Sequence, residues 1–321
     1  MTLKTTTVKC TMTTMTGETK KQVGIRSEEL GTEKKLPTSN CVGTLALEAM
    51  LIEVSVTPKP GLVDRNNSGA HRDMGFFTFI KSAAALRSSF EDFSRAGENF
   101  EEIDDKNKIK NLFPIIRKIG IEAEKKMFKA TDGINTHKGE IFSLGLLSAA
   151  AGYLAKNKIS LTPENVTNLA SKICAGICEK DFAGVHEKDK KFLTKGERVF
   201  IEHGITGIRG EAEAGYPVVI NVALPALKKY LSKNFNINDA LAFTLIHIMA
   251  EANDTNIISR KDFQTAEQVR KRAADLILNN KLNFQEIYKF DSDLILENIS
   301  PGGAGDLLAV TYFLFQLCIY A

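Results

Sequence analysis

A chain of 321 residues that is 43% apolar and 25% charged has the make-up of a globular protein with a core of ordinary size. Its 42 basic and 39 acidic residues nearly cancel, to a net +3, which excludes the broad basic surface of a nucleic-acid binder. Five cysteines at irregular spacing exclude a disulfide framework and suit a reducing, cytoplasmic setting.

Residues 1–36 are rich in Thr and Lys and carry no apolar segment of the kind a secretory signal needs. Their composition predicts a disordered extension ahead of a domain over 37–321. From Thr44 the apolar residues fall at helical spacing, in a helix that must end before Pro58. Phe79, Ala83, Leu86 and Phe90 recur at steps of three and four, and 109–129 and 137–154 continue the pattern. In the last of these, LGLLSAAAGYL offers small residues for close helix approach. Thr162-Pro163-Glu164 is an N-cap with proline in the first turn, opening a helix that the pattern carries through Cys178. Further helices are expected over 217–231, 238–252, 263–279 and 306–320, the last a buried core helix rather than a membrane span. VFIEHGI and YPVVINVAL are the only strand candidates, so the fold class is all-α, a single large multi-helix domain.

Five polar, glycine-rich junctions separate these helices. They are TPKPGLVDRNNSGAHRDM (57–74), TDGINTHKGE (131–140), HGITGIRGEAEAGYP (203–217), ANDTNIISR (252–260) and ISPGGAGDLLA (299–309). Functional groups gather on such loops because the helices behind them hold them still. In the first, Gly61 and Gly69 read as turn points, leaving Asp64, Asn67, His71 and Asp73 as working groups and Arg65 as a phosphate contact. In the second, Asn135 or Thr136 caps a helix whose start presents His137, Lys138 and Glu140 where an anion is favoured. Arg209 suits a phosphate, and Glu211 a metal or a proton. Asp254 and Asn256 stand at a helix end, and Asp306 follows the last glycine run. Scattered carboxylates without a Cys/His set suit a hard cation such as Mg²⁺, held partly through substrate phosphates. No phosphate-loop or dinucleotide fingerprint occurs.

Taken in order, these junctions resemble the triphosphoribosyl-dephospho-coenzyme A synthase family, over roughly Glu48 to Ala309. Two departures stand out: Lys261-Asp262 follows Arg260 where the family usually has Gly-Gly, and Gly305 precedes Asp306 where PGGSADLLA is usual. The resemblance implies an all-α enzyme that uses ATP as a sugar donor. The 2′-hydroxyl of 3′-dephospho-CoA would displace adenine and keep the triphosphoribosyl group, for the acyl-carrier prosthetic group of citrate lyase or malonate decarboxylase. A holo-acyl-carrier-protein synthase would receive the product. The resemblance also implies roles: Asp64, Asp254, Asp306 and Glu140 for Mg²⁺, and Glu211, His71 or Asp73 for the proton. Arg65, Asn67, Asn135, His137, Lys138, Arg209, Asn256 and Arg260 would bind the substrates. A Mg²⁺-dependent nucleotide or ADP-ribose-type hydrolase and a non-catalytic nucleotide-binding regulator are the rival readings.

Overall fold

In a computed structural model that describes residues 37–101, 106–279 and 281–320, the first helix, α1 (Ser39–Ser55), starts on the Thr38 hydroxyl, which accepts from the Cys41 N–H. Then come α2 (Phe76–Glu98), α3 (Leu112–Ala130), α4 (Lys138–Lys156), α5 (Pro163–Cys174), α6 (Ile177–Phe182), α7 (Lys195–His203) and α8 (Ile208–Glu213). The second half holds α9 (Leu224–Ser232), α10 (Ile237–Glu251), α11 (Thr255–Arg260), α12 (Phe263–Leu278), α13 (Phe284–Leu296) and α14 (Gly302–Tyr320). No strand occurs among the described residues, and Lys35–Ala321 forms one compact unit. The expected extension over 1–36 lies outside the described residues.

Three helices make the centre. Along α4 the residues from Ser143 to Gly152 are buried on every side, as are Ala240–Ile246 of α10 and Leu307–Leu314 of α14. A helix apolar all round belongs inside, and the amphipathic helices wrap it. The window Gly302–Ile319 is long and apolar enough to cross a membrane, yet 61% of it is buried inside the protein. Small residues let α2 and α4 touch backbone to backbone. A Cβ on Gly97 would lie 1.9 Å from the Ala149 carbonyl oxygen, and one on Gly152 would lie 2.0 Å from that of Ser94.

Some boundaries differ from the sequence pattern. The helix that opens at Thr162 stops at Cys174, because Gly176 turns left-handed at φ 82° before α6 resumes. VFIEHGI is not a strand but the end of α7, whose start is a capping box between Thr194 and Glu197. YPVVINVAL leads through a wide helical turn, Val219–Ala223, into α9. The periodicity also passed over α13, whose Ile287, Phe290 and Leu294 form the buried edge of an otherwise polar segment.

Candidate active site

The end of α1, the starts of α4 and α14, helix α11 and the loop over 57–75 meet around a cleft of about 120 Å³. The loop is folded on itself, not slack. The Asp64 carboxylate accepts from the N–H groups of Asn66 (2.7 Å) and Asn67 (2.9 Å), and Gly61 donates to Asp291 of α13 at 2.9 Å. Asn67 reaches the other oxygen of Asp291 at 3.0 Å. Gly61 has φ 71°, and a Cβ there would sit 2.2 Å from the Ile299 carbonyl oxygen, so only glycine fits.

Inside the cleft the charges oppose one another at close range. Lys59, held between two prolines, is 1% exposed, and its ammonium is ion-paired to Glu53 of α1. Glu140 and Asp306 complete an acidic patch with Glu53. Burial, then the Glu53 and Asp306 carboxylates, hold Glu140 well above the usual carboxylate range. Burial, then Asp254 and Glu53, do the same for Asp306. Lys138 and Arg260 line the mouth, and Lys138 pairs with Glu124 of α3 at 2.8 Å. His71 places Nε2 2.9 Å from the Ser300 hydroxyl. Burial and then Arg260 lower its pKa, outweighing Asp73 at 3.6 Å, which favours the neutral imidazole.

Of the residues singled out from the sequence, His71, Asn135, Lys138, Glu140, Asn256, Arg260 and Asp306 line this cleft. Others do different work. Asp254 spends one oxygen on the N–H groups of Asn256 (2.9 Å) and Ile257 (3.3 Å) and the other on Ala304 (3.0 Å), fastening α11 to α14. Asn67 accepts from the Gly69 N–H and donates to Asp291, tying the loop to α13. Glu211 accepts from the Val218 N–H at 2.8 Å, away from the cleft lining. His137 is fully buried against Phe79, with Nδ1 2.6 Å from the Ser82 hydroxyl. Arg65 and Asp73 are exposed. Arg209 faces a second pocket and bonds Asp181 at 2.9 Å. Lys261 and Asp262 also find a reason: neither needs a left-handed φ, and Asp262 caps α12 by accepting from Thr265 at 2.6 Å.

Glu53 and Lys59 were not anticipated as site residues. A lone acid inside the apolar run LIEVSV was the available signal, because a buried charge needs a partner.

Glu53, Asp64 and Glu140 each keep a buried carboxylate oxygen without a hydrogen-bond partner. Among the described residues, no three His, Cys, Asp or Glu side chains converge tightly enough to enclose a metal by themselves. That donor set fits Mg²⁺, which is usually bound by one or two carboxylates with substrate phosphates and water.

The ATP:dephospho-CoA triphosphoribosyl transferase family model matches residues 39–320, which is nearly all of the described chain. The chain belongs to that family. A Citrobacter koseri protein named probable 2-(5''-triphosphoribosyl)-3'-dephosphocoenzyme-A synthase is 39% identical over 277 residues, covering 85% of this chain and 89% of that one. A Vibrio cholerae protein of the same name is 40% identical over 280 residues, covering 86% and 88%. No solved structure matches. As a member of the triphosphoribosyl transferase family the chain is an enzyme, a triphosphoribosyl-dephospho-CoA synthase by its relatives. Among the described residues, the cleft brings Lys59, Lys138 and Arg260 together with the unpartnered carboxylate oxygens of Glu53 and Glu140.

Proposed function

We propose that this cleft transfers the 5-triphosphoribosyl group of ATP to the ribose 2′-hydroxyl of 3′-dephospho-CoA and releases adenine. The observation that carries the reading is that Lys59, Lys138 and Arg260 line one cavity together with Glu53, Glu140 and Asp306. Lys138 and Arg260, beside the first turns of α4 and α14, suit a triphosphate. Glu140, Asp306 and the free oxygens of Glu53 and Asp64 would hold Mg²⁺, which supplies charge neutralisation on the phosphates. Asn135 and Asn256 offer hydrogen bonds to sugar or base.

The chemistry needs a base, an in-line geometry and a stabilised sugar cation. Neutral His71, oriented by Ser300, takes the 2′-hydroxyl proton. The bond from that oxygen to C1′ forms as the bond from C1′ to N9 of adenine breaks; N9 keeps the electron pair and the leaving base takes up a proton, which balances the one His71 removes, so that neutral adenine is released. Positive charge grows on the ribose ring in the transition state, where the carboxylate patch opposes it. Glu211 and Asp73, the other two candidate bases, are not among the residues that line this cleft. The product would serve the acyl-carrier prosthetic group of citrate lyase or malonate decarboxylase through a holo-acyl-carrier-protein synthase in the cytoplasm.

Purified protein with ATP, Mg²⁺ and dephospho-CoA provides the test, with products separated by chromatography and weighed by mass spectrometry. Free adenine in equal amount with a triphosphoribosylated dephospho-CoA is expected. Adenine without the adduct would identify a hydrolase, and ADP with phosphate would sink the transfer reading.

A further inference from the structure

Asp291 is a buried acid on the apolar edge of α13, beside Phe290 and between Ile287 and Leu294, and it does not line the cleft. A carboxylate in such a place must be compensated by donors. Both of its oxygens are. Oδ1 accepts from the Gly61 N–H at 2.9 Å, and Oδ2 accepts from the Asn67 side-chain amide at 3.0 Å. Both donors belong to the loop over 57–75, which brings Lys59 and His71 to the cleft.

From those two residues the hydrogen bonds run on toward His71. The Gly61 carbonyl accepts from the Ala70 N–H at 3.0 Å, and Asn67 Oδ1 accepts from the Gly69 N–H at 2.6 Å. The His71 N–H itself donates to the Ser68 carbonyl at 3.1 Å. Of the three N–H groups from Gly69 to His71, two are thus tied to Asp291 through a single intervening residue.

The far side of the histidine is set by the same helix. The chain leaving α13 carries Ser300, whose hydroxyl stands 2.9 Å from His71 Nε2. It runs so close to the loop that a Cβ on Gly61 would also meet Leu294 Cβ at 3.1 Å and Pro301 Cδ at 3.2 Å. The ring and its hydroxyl partner are therefore registered against one element.

We propose that Asp291 is a positioning residue for the base: it holds the loop against α13 so that the His71 ring stays on Ser300 at the cleft. The inference rests on the reading of His71 as the base, and Asp291 touches neither substrate.

The test reverses the polarity of one bond. In Asp291→Asn the side-chain oxygen can still accept from Gly61, but its NH₂ group meets that of Asn67, two donors without an acceptor. Adding Asn67→Asp restores the pair, since the new amide donates to one carboxylate oxygen while the other accepts from Gly69. Asp291→Asn should lower kcat roughly tenfold or more, as displacing a positioned group does. The KM for ATP should hardly move, because Lys138 and Arg260 stand on α4 and α11. The double variant should regain most of the lost kcat.

A second readout needs no turnover. Burial and then Arg260 hold the His71 pKa below 6.5 against the pull of Asp73. Followed by NMR, it should rise toward 6.5 in Asp291→Asn and fall back in the double variant. Asn283→Ala is the control, because it removes the cap of α13 and leaves both loop bonds in place. It should cost stability while keeping kcat and the His71 pKa. Circular dichroism reports folding. If Asp291→Asn does not fold, Asn67→Ala takes its place, cutting one of the two routes, with a smaller change of the same sign in both readouts.

An unchanged kcat and His71 pKa in the folded variant overturns the assignment. So does a loss that the double variant does not recover, or an equal loss in Asn283→Ala. If the wild-type chain forms no adduct from ATP and dephospho-CoA, the transferase reading itself fails. The pKa comparison still decides whether Asp291 places His71.

Discussion

Gly139 leaves the space of its own side chain to the carboxylate of Asp306: a Cβ there would start 1.9 Å from Oδ2 and 2.5 Å from Cγ. One helix start has thus given up a side chain so that an acid on another can stand in the cleft. Gly139→Ala should push Asp306 away, and displacements of about 1 Å in a positioned group cost on the order of 10²-fold in rate. Melting should change little, because alanine's better helix propensity offsets part of the strain. Gly196→Ala in α7 is the control, since nothing lies within 4 Å of a Cβ there. Steady-state kinetics on both variants decides, and normal turnover in Gly139→Ala would remove Asp306 from the reaction.

The buried ion pair of Lys59 and Glu53 predicts an asymmetry between single and double variants. Lys59→Met leaves Glu53 as an uncompensated buried acid, a change that typically costs about 3–5 kcal/mol. Glu53→Gln added to it removes the charge and should recover much of that stability. Activity should not return, since both side chains line the cleft. Chemical denaturation of the two proteins measures the difference. A double variant no more stable than the single one would contradict the pairing argument.

Metal removal separates two acids that look alike in the sequence. Chelation should abolish turnover, and added Mg²⁺ should restore it. Glu140→Gln should raise the Mg²⁺ concentration for half-activity about tenfold, because Glu140 keeps a buried oxygen without a hydrogen-bond partner that the proposed site would give to the cation. Asp254→Asn should leave that concentration unchanged and lower stability by about 1–3 kcal/mol. Its amide would face the Ala304 N–H with a donor where the carboxylate now accepts. A shift in Mg²⁺ requirement for Asp254→Asn would reverse the two roles.

The long helices and the junctions between them were legible because both leave local marks. Apolar residues at steps of three and four delimit α2, and Thr162-Pro163 marks the start of α5. Which acid faces the cleft leaves no such mark. Asp64 and Asp254 sit in similar loops, yet one keeps a free oxygen and the other gives both to backbone N–H groups. Only the approach of α14 to α11 decides that. Arg209 shared a glycine-rich motif with Glu211, but the packing of α8 on α6 turns it toward Asp181. Nothing local to Lys59 in the sequence marks it as the buried lysine it is in the fold.

His137 makes a prediction about pH. It is fully buried, and burial, followed by the charge of Lys59, lowers its pKa from 6.5 to about 3. The unfolded chain therefore binds a proton between those values that the folded chain refuses. Stability from this group is fully present above about pH 6.5 and declines as pH falls toward 3, by up to about 1.4 kcal/mol per unit. Glu140 and Asp306 act with the opposite sign, because acids held above their usual range favour the folded state as pH falls. The histidine's share is isolated by comparing wild type with His137→Leu. Denaturation midpoints at pH 7, 6 and 5 should show the wild-type chain losing more stability than the variant over that interval. Parallel losses in the two proteins would mean that His137 takes up its proton in the folded state as easily as in the unfolded one.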